Sequence, residues 1–207
     1  MNENNRRMTL GAMFALGAAG VAASSAGART RQPDLALQVD RLTSQWAIQE
    51  VLLAYARGND LQDEAMIRGC FWPEADHKHG RFAGKSQDFV GFAMKILTTL
   101  KYCAHHISNI SIEVNGDRGF SECYYFAHHR RPVKDGTGEE DAYFEGRYID
   151  ILERRDGVWK IIRRHGISDY SSPPTPAATS FADWPAGHTM RSRDDAYYMM
   201  QAAFKAG

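Results

Sequence analysis

The sequence predicts an α+β fold, in which N-terminal helices pack against a curved and mostly antiparallel sheet. Apolar residues recur every three or four positions through 35–55, which is the spacing of one helix face. Four strand-like segments then follow one another, at 107–114, 119–130, 142–154 and 158–168. Asn115-Gly116 and Asp156-Gly157 join two pairs of these segments and are strong hairpin signals, because both positions favour positive φ. Helices followed by consecutive hairpins are typical of this class.

The first half of the chain is predicted to supply most of the helices. The apolar face at 35–55 is expected to break near Thr43, with Ser44 capping a second helix, and to end at Gly58. Residues 60–68 resemble a further short helix, which Phe71-Trp72-Pro73 would end.

One strand and a third helix are predicted before the hairpins. Residues 75–82 alternate weakly and indicate a strand, after which Gly84 would turn the chain. Ser86 is placed to cap a helix whose apolar residues between 89 and 100 form a broad face.

Length and composition favour one neutral, globular domain. The chain has 207 residues, 43% hydrophobic and 24% charged, with 25 basic and 25 acidic side chains. A balanced charge indicates no basic face, so nucleic acid is not an expected partner. The three cysteines form no C-x-x-C pair and no disulfide framework. Because the sequence has no Gly-rich phosphate loop either, we expect no cofactor.

The two ends of the chain differ from its middle. Residues 1–28 place Arg6-Arg7 before an apolar run and a small-residue Ala26-Gly27-Ala28 site, as in a twin-arginine signal peptide. The run is too short for a membrane span, so the mature protein is predicted to be periplasmic and not membrane-bound. A disordered tail on a cytoplasmic enzyme is the alternative. Residues 29–170 would form the domain, and 171–207 a C-terminal extension that serves as a lid or interface arm.

A set of short fragments occurs in an order that resembles a known family. The fragments are Asp40-Arg41-Leu42, Pro73-Glu74-Ala75, His105-His106-Ile107-Ser108-Asn109, Gly146-Arg147-Tyr148-Ile149-Asp150 and Arg154-Arg155-Asp156-Gly157-Val158-Trp159. Together they resemble the SnoaL-like branch of the nuclear transport factor 2 (NTF2)-like superfamily over about 40–170. The resemblance implies a cone-shaped fold around an apolar cavity. It also implies cofactor-free elimination by a His–Asp dyad, as in dehydratase and dehydrochlorinase members.

The resemblance implies four catalytic residues. His105 matches the basic histidine of the dyad and Asp60 its aspartate, while Tyr55 and Arg164 match further functional positions. From the residues alone, His105 could instead be a satisfied core histidine, and Asp60 could cap the helix after it. Tyr55 could be a core tyrosine, and Arg164 could belong to a surface ladder of charges.

The resemblance also implies residues that contact the substrate. His77, Tyr125 and Phe144 match pocket-lining positions, and Trp72 is assigned with them. His77 and His79 would share one strand face, as metal ligands can. The acidic ligand that should follow them is missing, so we predict no metal site.

The resulting functional prediction is a dehydratase-type lyase acting on a hydrophobic cyclic small molecule. A double-bond isomerase of the steroid type would use nearly the same groups, and a non-catalytic binder of a hydrophobic ligand could share the fold. The outer sheet face makes a homodimer or homotrimer the expected assembly.

Overall fold

A computed structural model describes residues 34–207, in which the first three helices pack against a seven-stranded sheet. The helices are α1 (Leu35–Asp60), α2 (Glu64–Gly69), α3 (Ser86–Leu97) and α4 (Ala196–Ala206), with one 3-10 turn at Phe181–Asp183. The strands are β1 (Phe71–His79), β2 (Phe82–Lys85), β3 (Tyr102–Asn115), β4 (Arg118–Pro132), β5 (Glu139–Arg155), β6 (Val158–Ser171) and β7 (Thr175–Pro176).

The strands run in the order β2-β1-β6-β5-β4-β3, and β7 pairs with β5 beside this path. Only the β1–β6 pair is parallel among the described strands, and the predicted turns at Asn115-Gly116 and Asp156-Gly157 lie in the β3–β4 and β5–β6 hairpins. The α+β prediction, with a curved and mostly antiparallel sheet, is confirmed.

Helix α1 is continuous, so the predicted break near Thr43 and the stop at Gly58 are both wrong. Ser44 lies inside the helix and is buried, and its hydroxyl accepts a hydrogen bond from Arg154 Nη1 at 3.3 Å. Gly58 is needed for packing, because a Cβ there would lie 2.7 Å from Cγ1 of Ile67 in α2. The absent side chain lets the two helices approach closely.

The boundaries of the next elements also differ from the prediction. Helix α2 is capped by Asp63, whose carboxylate accepts from Met66 N at 3.1 Å, so Asp60 does not cap it. Strand β1 already begins at Phe71, which pairs with Ile161 of β6 and whose ring is buried in the core. Gly84 lies within β2, and Ser86 is the buried first residue of α3 rather than its cap.

The core lies between α1, α3 and the inner face of the sheet. Its fully or almost fully buried apolar side chains include Ile48, Leu52, Phe71, Val90, Leu152 and Ile161. Because α1 ends beside this core at Asn59 and Asp60, the end of the helix reaches the interior rather than the surface.

The C-terminal extension packs on the outer face and around the end of α1. Thr179 O accepts from Arg130 Nη1 at 2.9 Å, and the Trp184 ring lies 4.9 Å from that guanidinium. The predicted signal peptide lies outside the described residues. Within residues 34–207, no helix combines the length and apolar character needed to cross a membrane.

Candidate active site

A cavity of about 220 Å³ opens between α3 and the inner face of the sheet. One wall is apolar and comes from α3, with Phe89, Phe92, Ala93, Ile96 and Leu97. The opposite wall carries polar side chains from α1 and the strands, namely Tyr55, Asn59, His79, His105, His129 and Tyr148. Phe92 and Ile96 are about half exposed and form the rim. The cavity therefore sets an apolar surface against polar and titratable groups.

His105 and Asp60 meet at the polar wall, across 45 residues of sequence. The imidazole Nδ1 of His105 and Oδ1 of Asp60 are 2.7 Å apart. The backbone N–H of His105 donates to the other carboxylate oxygen at 3.1 Å, so both oxygens of Asp60 contact one residue. This arrangement fixes Nδ1 as the protonated nitrogen and leaves Nε2 for a ligand.

The pair also controls the charge of the imidazole. Burial opposes the imidazolium form, but the hydrogen bonds to Asp60 and Cys103 outweigh it and raise the pKa of His105 above its ordinary 6.5. The side chain of His105 is 9% exposed and that of Asp60 is 26% exposed. A raised pKa makes the neutral imidazole a stronger base and makes its population depend on pH.

Tyr55 and Tyr148 line the cavity above a buried ion pair. Arg164 is bidentate to Asp150, with Nε–Oδ1 at 2.7 Å and Nη2–Oδ2 at 2.6 Å. Its guanidinium lies 4.1 Å from the Tyr55 ring and 4.3 Å from the Tyr148 ring. Burial raises the pKa of both tyrosines, so their hydroxyls stay protonated and can donate hydrogen bonds.

Two cavity-lining histidines were not predicted as site residues. Nδ1 of His79 and Nε2 of His129 are buried and have no hydrogen-bond partner among the described residues. Burial lowers the pKa of His79 to about 4 and that of His129 to about 3, so both rings are neutral. The His129 ring lies 5.8 Å from the His105 ring. These two nitrogens are closed off from the cavity, and leaving them unpaired costs free energy.

Comparison with known proteins places this chain in a family. The sequence profile of the SnoaL-like domain matches residues 40–165, more than half of the chain. The chain belongs to the SnoaL-like family. The predicted membership is thereby confirmed, and the family match includes both members of the His105–Asp60 pair.

Relatives of this SnoaL-like protein include lyases. Gamma-hexachlorocyclohexane dehydrochlorinase of Sphingobium indicum is 25% identical over 142 residues, which are 65% of this chain and 86% of that enzyme. A crystal structure of a type 2 hexachlorocyclohexane dehydrochlorinase has a TM-score of 0.61 at 23% identity, covering 72% of this chain and 99% of that one. A putative scytalone dehydratase from Novosphingobium aromaticivorans has a TM-score of 0.58 at 21% identity, covering 72% and 97%. The structural likenesses establish the fold.

Three predicted substrate-binding residues of the SnoaL-like domain lie behind the cavity wall. The His77 ring stacks on Phe89 with centroids 3.7 Å apart, and Tyr125 stacks on Tyr148 at 4.6 Å. Phe144 packs 4.8 Å from the ring of His129. These three residues support lining side chains instead of forming the lining themselves.

The positions of Trp72 and Arg164 correct two further predicted site residues. Trp72 points away from the cavity, because its neighbour Phe71 points into the core and strand side chains alternate. Its indole N–H donates to Glu153 O at 3.1 Å, and Arg155 lies 4.6 Å above its ring. Arg164 is buried beneath the two tyrosines, with Asp150 as its partner, so it does not reach the cavity itself.

One group of side chains in residues 34–207 could coordinate a metal ion. Cys103, His105 and His129 each offer a ligand atom, and these atoms lie within 4.8 Å of one another. The sequence shows no metal-ligand spacing for the cysteines and does not predict this group, because its members come from two strands. Cys103 Sγ lies 3.7 Å from Nδ1 of His105, which already contacts Asp60. Coordination through Nδ1 would therefore compete with the aspartate.

Proposed function

We propose that this protein is a cofactor-free lyase, which removes a small leaving group from a mostly apolar cyclic compound with His105 as the base. The observation that supports the proposal most directly is the 2.7 Å contact between His105 and Asp60 at a cavity wall. The membership of the SnoaL-like family and the dehydrochlorinase and dehydratase names among its relatives support the same class of reaction.

In the proposed reaction, neutral His105 accepts a proton at Nε2 from a carbon next to an electron-withdrawing group. The C–H electron pair becomes a new C=C bond, and the leaving group departs with the electrons of its own bond. Asp60 then faces an imidazolium, whose positive charge it stabilises through Nδ1–H. No oxidant, reductant or metal ion enters the balance of this reaction.

Tyr55 and Tyr148 are the donors that we assign to the departing group. Their hydroxyls remain protonated at neutral pH because burial raises the pKa of both. A hydrogen bond from either hydroxyl would stabilise negative charge on a leaving oxygen or halide. The Arg164 guanidinium beneath both rings strengthens this effect from a distance of 4.1–4.3 Å.

The size and chemistry of the cavity favour a compound of one or two rings. About 220 Å³ is below the range of roughly 300–1,000 Å³ that is typical of sites for drug-sized ligands. The α3 wall suits the apolar part of such a compound. The neutral imidazoles of His79 and His129 suit a carbonyl or hydroxyl oxygen, which favours an oxygenated substrate over a fully halogenated one.

The test is a product assay on the purified full chain. Gamma-hexachlorocyclohexane and a panel of one- and two-ring β-hydroxyketones are incubated with the protein, and product masses are measured. A lyase gives a product lighter by HCl or water, whereas an isomerase gives a product of unchanged mass. We expect loss of water from at least one hydroxyketone and no conversion by His105→Ala.

Two results would contradict the proposal. One is equal conversion by His105→Ala and the unchanged protein, since it would remove the base from the mechanism. The other is a panel in which compounds raise the melting temperature of the protein but none is converted, since this is the behaviour of a binder.

A further inference from the structure

The C-terminal extension places one guanidinium against the ends of two helices. Nε of Arg191 donates to Asp60 O at 3.0 Å, and Nη2 donates to Asn59 O at 3.4 Å, both at the end of α1. Nη1 donates to Leu97 O at 3.1 Å and to Leu100 O at 2.8 Å, at and just beyond the end of α3. One side chain thus binds four backbone carbonyls, two from α1, one from α3 and one from the loop after α3.

These carbonyls are a natural site for a cation. The last carbonyls of a helix have no partner within it, and they form the negative end of the helix dipole. Arginine suits several such acceptors at once, because its five N–H donors lie in one rigid plane. Lysine carries the same charge but has no planar fork, so it cannot bind all four carbonyls in this geometry.

The two helix ends that Arg191 joins also form part of the active site. Asp60 is the last residue of α1, and its carboxylate holds His105. Asn59 and Leu97 line the cavity from opposite sides. Gln62 Nε2, just after α1, also donates to Leu97 O at 2.7 Å, so the guanidinium shares the link between the helix ends. Of these two side chains, only Arg191 also binds the carbonyl of Asp60.

Neighbouring residues hold this part of the extension in place. The Tyr198 hydroxyl donates to Asp63 Oδ2 at 2.7 Å, and Arg193 Nη2 lies 3.0 Å from the same oxygen. The Tyr197 ring lies 5.0 Å from the guanidinium of Arg57 in α1. Arg191 is thus one of several contacts to the α1–α2 junction, but it alone among these reaches the carbonyl of Asp60.

We propose that Arg191 is a positioning residue of the active site, which ties α1 to α3 and holds the Asp60 carboxylate in line with His105. The C-terminal extension is then a working part of the site instead of a separable tail. The inference rests on the proposed function only in treating His105 and Asp60 as the reactive pair. The family match ends at residue 165, so it does not include this contact.

The test compares Arg191→Lys and Arg191→Ala with Arg193→Ala in the full chain. Arg193 is a matched control, because it lies two residues away, contacts the same junction and has a side chain that is 69% exposed. The ring of His105 is titrated by NMR in histidine-labelled protein, with His105→Asn used to assign its signals. Asp60, Cys103, His79, His129 and Arg191 are the titratable and charged groups around this ring. The kcat and KM of any converted substrate are measured in parallel.

We expect the pKa of His105 to move down toward 6.5 in Arg191→Lys, because Asp60 loses its alignment while the positive charge is kept. In Arg191→Ala the loss of a nearby positive charge opposes this fall, so the shift should be smaller. kcat should fall by about 10–100-fold with little change in KM. Arg193→Ala should match the unchanged protein in both measurements. If the protein were not a lyase, the shift of the His105 titration in the Arg191 variants would still be observed. The proposed function and the positioning role of Arg191 can therefore fail separately.

An unchanged His105 titration in folded Arg191→Lys would overturn the inference, even if that variant were slower. Global unfolding of Arg191→Lys under assay conditions would also overturn it, because Arg191 would then serve overall stability instead of the position of Asp60. Circular dichroism and thermal melting of all three variants decide between these cases.

Discussion

His105 points from the inner face of the sheet toward Asp60 at the end of α1, and His128 and Asp141 lie on the outer face of the sheet. The nitrogen–oxygen distances are almost the same, 2.7 Å in the inner pair and 2.6 Å in the outer pair. In the outer pair, Arg130 is bidentate to the carboxylate at 2.7–2.9 Å. The inner carboxylate has no such cation on its oxygens among the described contacts and binds only His105.

The two imidazoles also differ in their surroundings, as the two carboxylates differ in their partners. The His128 ring is stacked on Tyr143, with centroids 4.7 Å apart, and has Tyr102 at its edge. The His105 ring lines a cavity. A short His–Asp hydrogen bond therefore does not by itself mark a reactive site. The space in front of the imidazole and the freedom of the carboxylate separate a candidate dyad from a structural contact.

The largest expected contrast between the two pairs is in turnover after removal of each imidazole. His105→Ala should lower kcat by about 10³–10⁴, because it removes the base, whereas His128→Ala should change kcat by less than about threefold. Steady-state kinetics on a converted substrate measure both variants. Comparable losses of kcat in the two variants would contradict the prediction that only the pair at the cavity is catalytic.

The two aspartates should respond to amide substitution in different ways. Asp60→Asn should lower kcat by about 10²–10³, because an amide can present the wrong hydrogen-bonding group to Nδ1 and no longer stabilises the imidazolium. Asp141→Asn should leave turnover nearly intact. It should reduce the free energy of unfolding by up to about 3–5 kcal/mol, since Arg130 is 5% exposed and loses a bidentate partner.

Kinetics and urea unfolding of both variants check that Asp60→Asn mainly lowers turnover and that Asp141→Asn mainly lowers stability. Glu139 Oε2 lies 3.9 Å from Arg130 Nε and can take over part of the lost charge interaction, so the smaller end of the stability range is expected for Asp141→Asn. A stability loss in Asp60→Asn that exceeds the one in Asp141→Asn would reverse the comparison.

The sequence alone predicts most of the fold but less of the candidate site. Apolar periodicity and the two hairpin turns predict a helix within α1 and the order of strands β3–β6, because these are local patterns, but they do not predict that α1 is continuous. The position of Asp60 opposite His105 came from the family resemblance, since no local signal joins residues 45 positions apart. Strand phase could have found His129, which is four residues from Tyr125 on the same face of β4. The same alternation, started at Phe71, would have turned Trp72 outward.

Other features of the site have no signal in the sequence. Arg191 binds backbone carbonyls, which every residue carries, so nothing in the partner sequences marks the contact. The sequence predicts a helix break at Ser44, because short polar side chains favour helix ends. Its partner Arg154 lies 110 residues away and makes the position acceptable inside the helix. Both cases depend on contacts between distant segments.

The smallest expected effect is the dependence of stability on pH. It has opposite directions in the two pairs. The pKa of His105 is raised in the folded protein, so its contribution to stability is complete below 6.5 and is lost as pH rises through the raised value. The bidentate contact with Arg130 is the main cause that lowers the pKa of Asp141 below 3.8. Its contribution is present above 3.8 and is lost as pH falls through the lowered value.

Urea unfolding across pH 2–11 should therefore show two separate changes, each tied to one pair. His105→Asn should remove a stability loss on the alkaline side, and Asp141→Asn should remove one on the acid side. Turnover should rise with pH along a limb whose midpoint lies above 6.5, because only neutral His105 accepts a proton. Stability from the inner pair thus falls over the same pH range in which its activity appears. A turnover limb at or below pH 6.5 would contradict the coupling of His105 to Asp60.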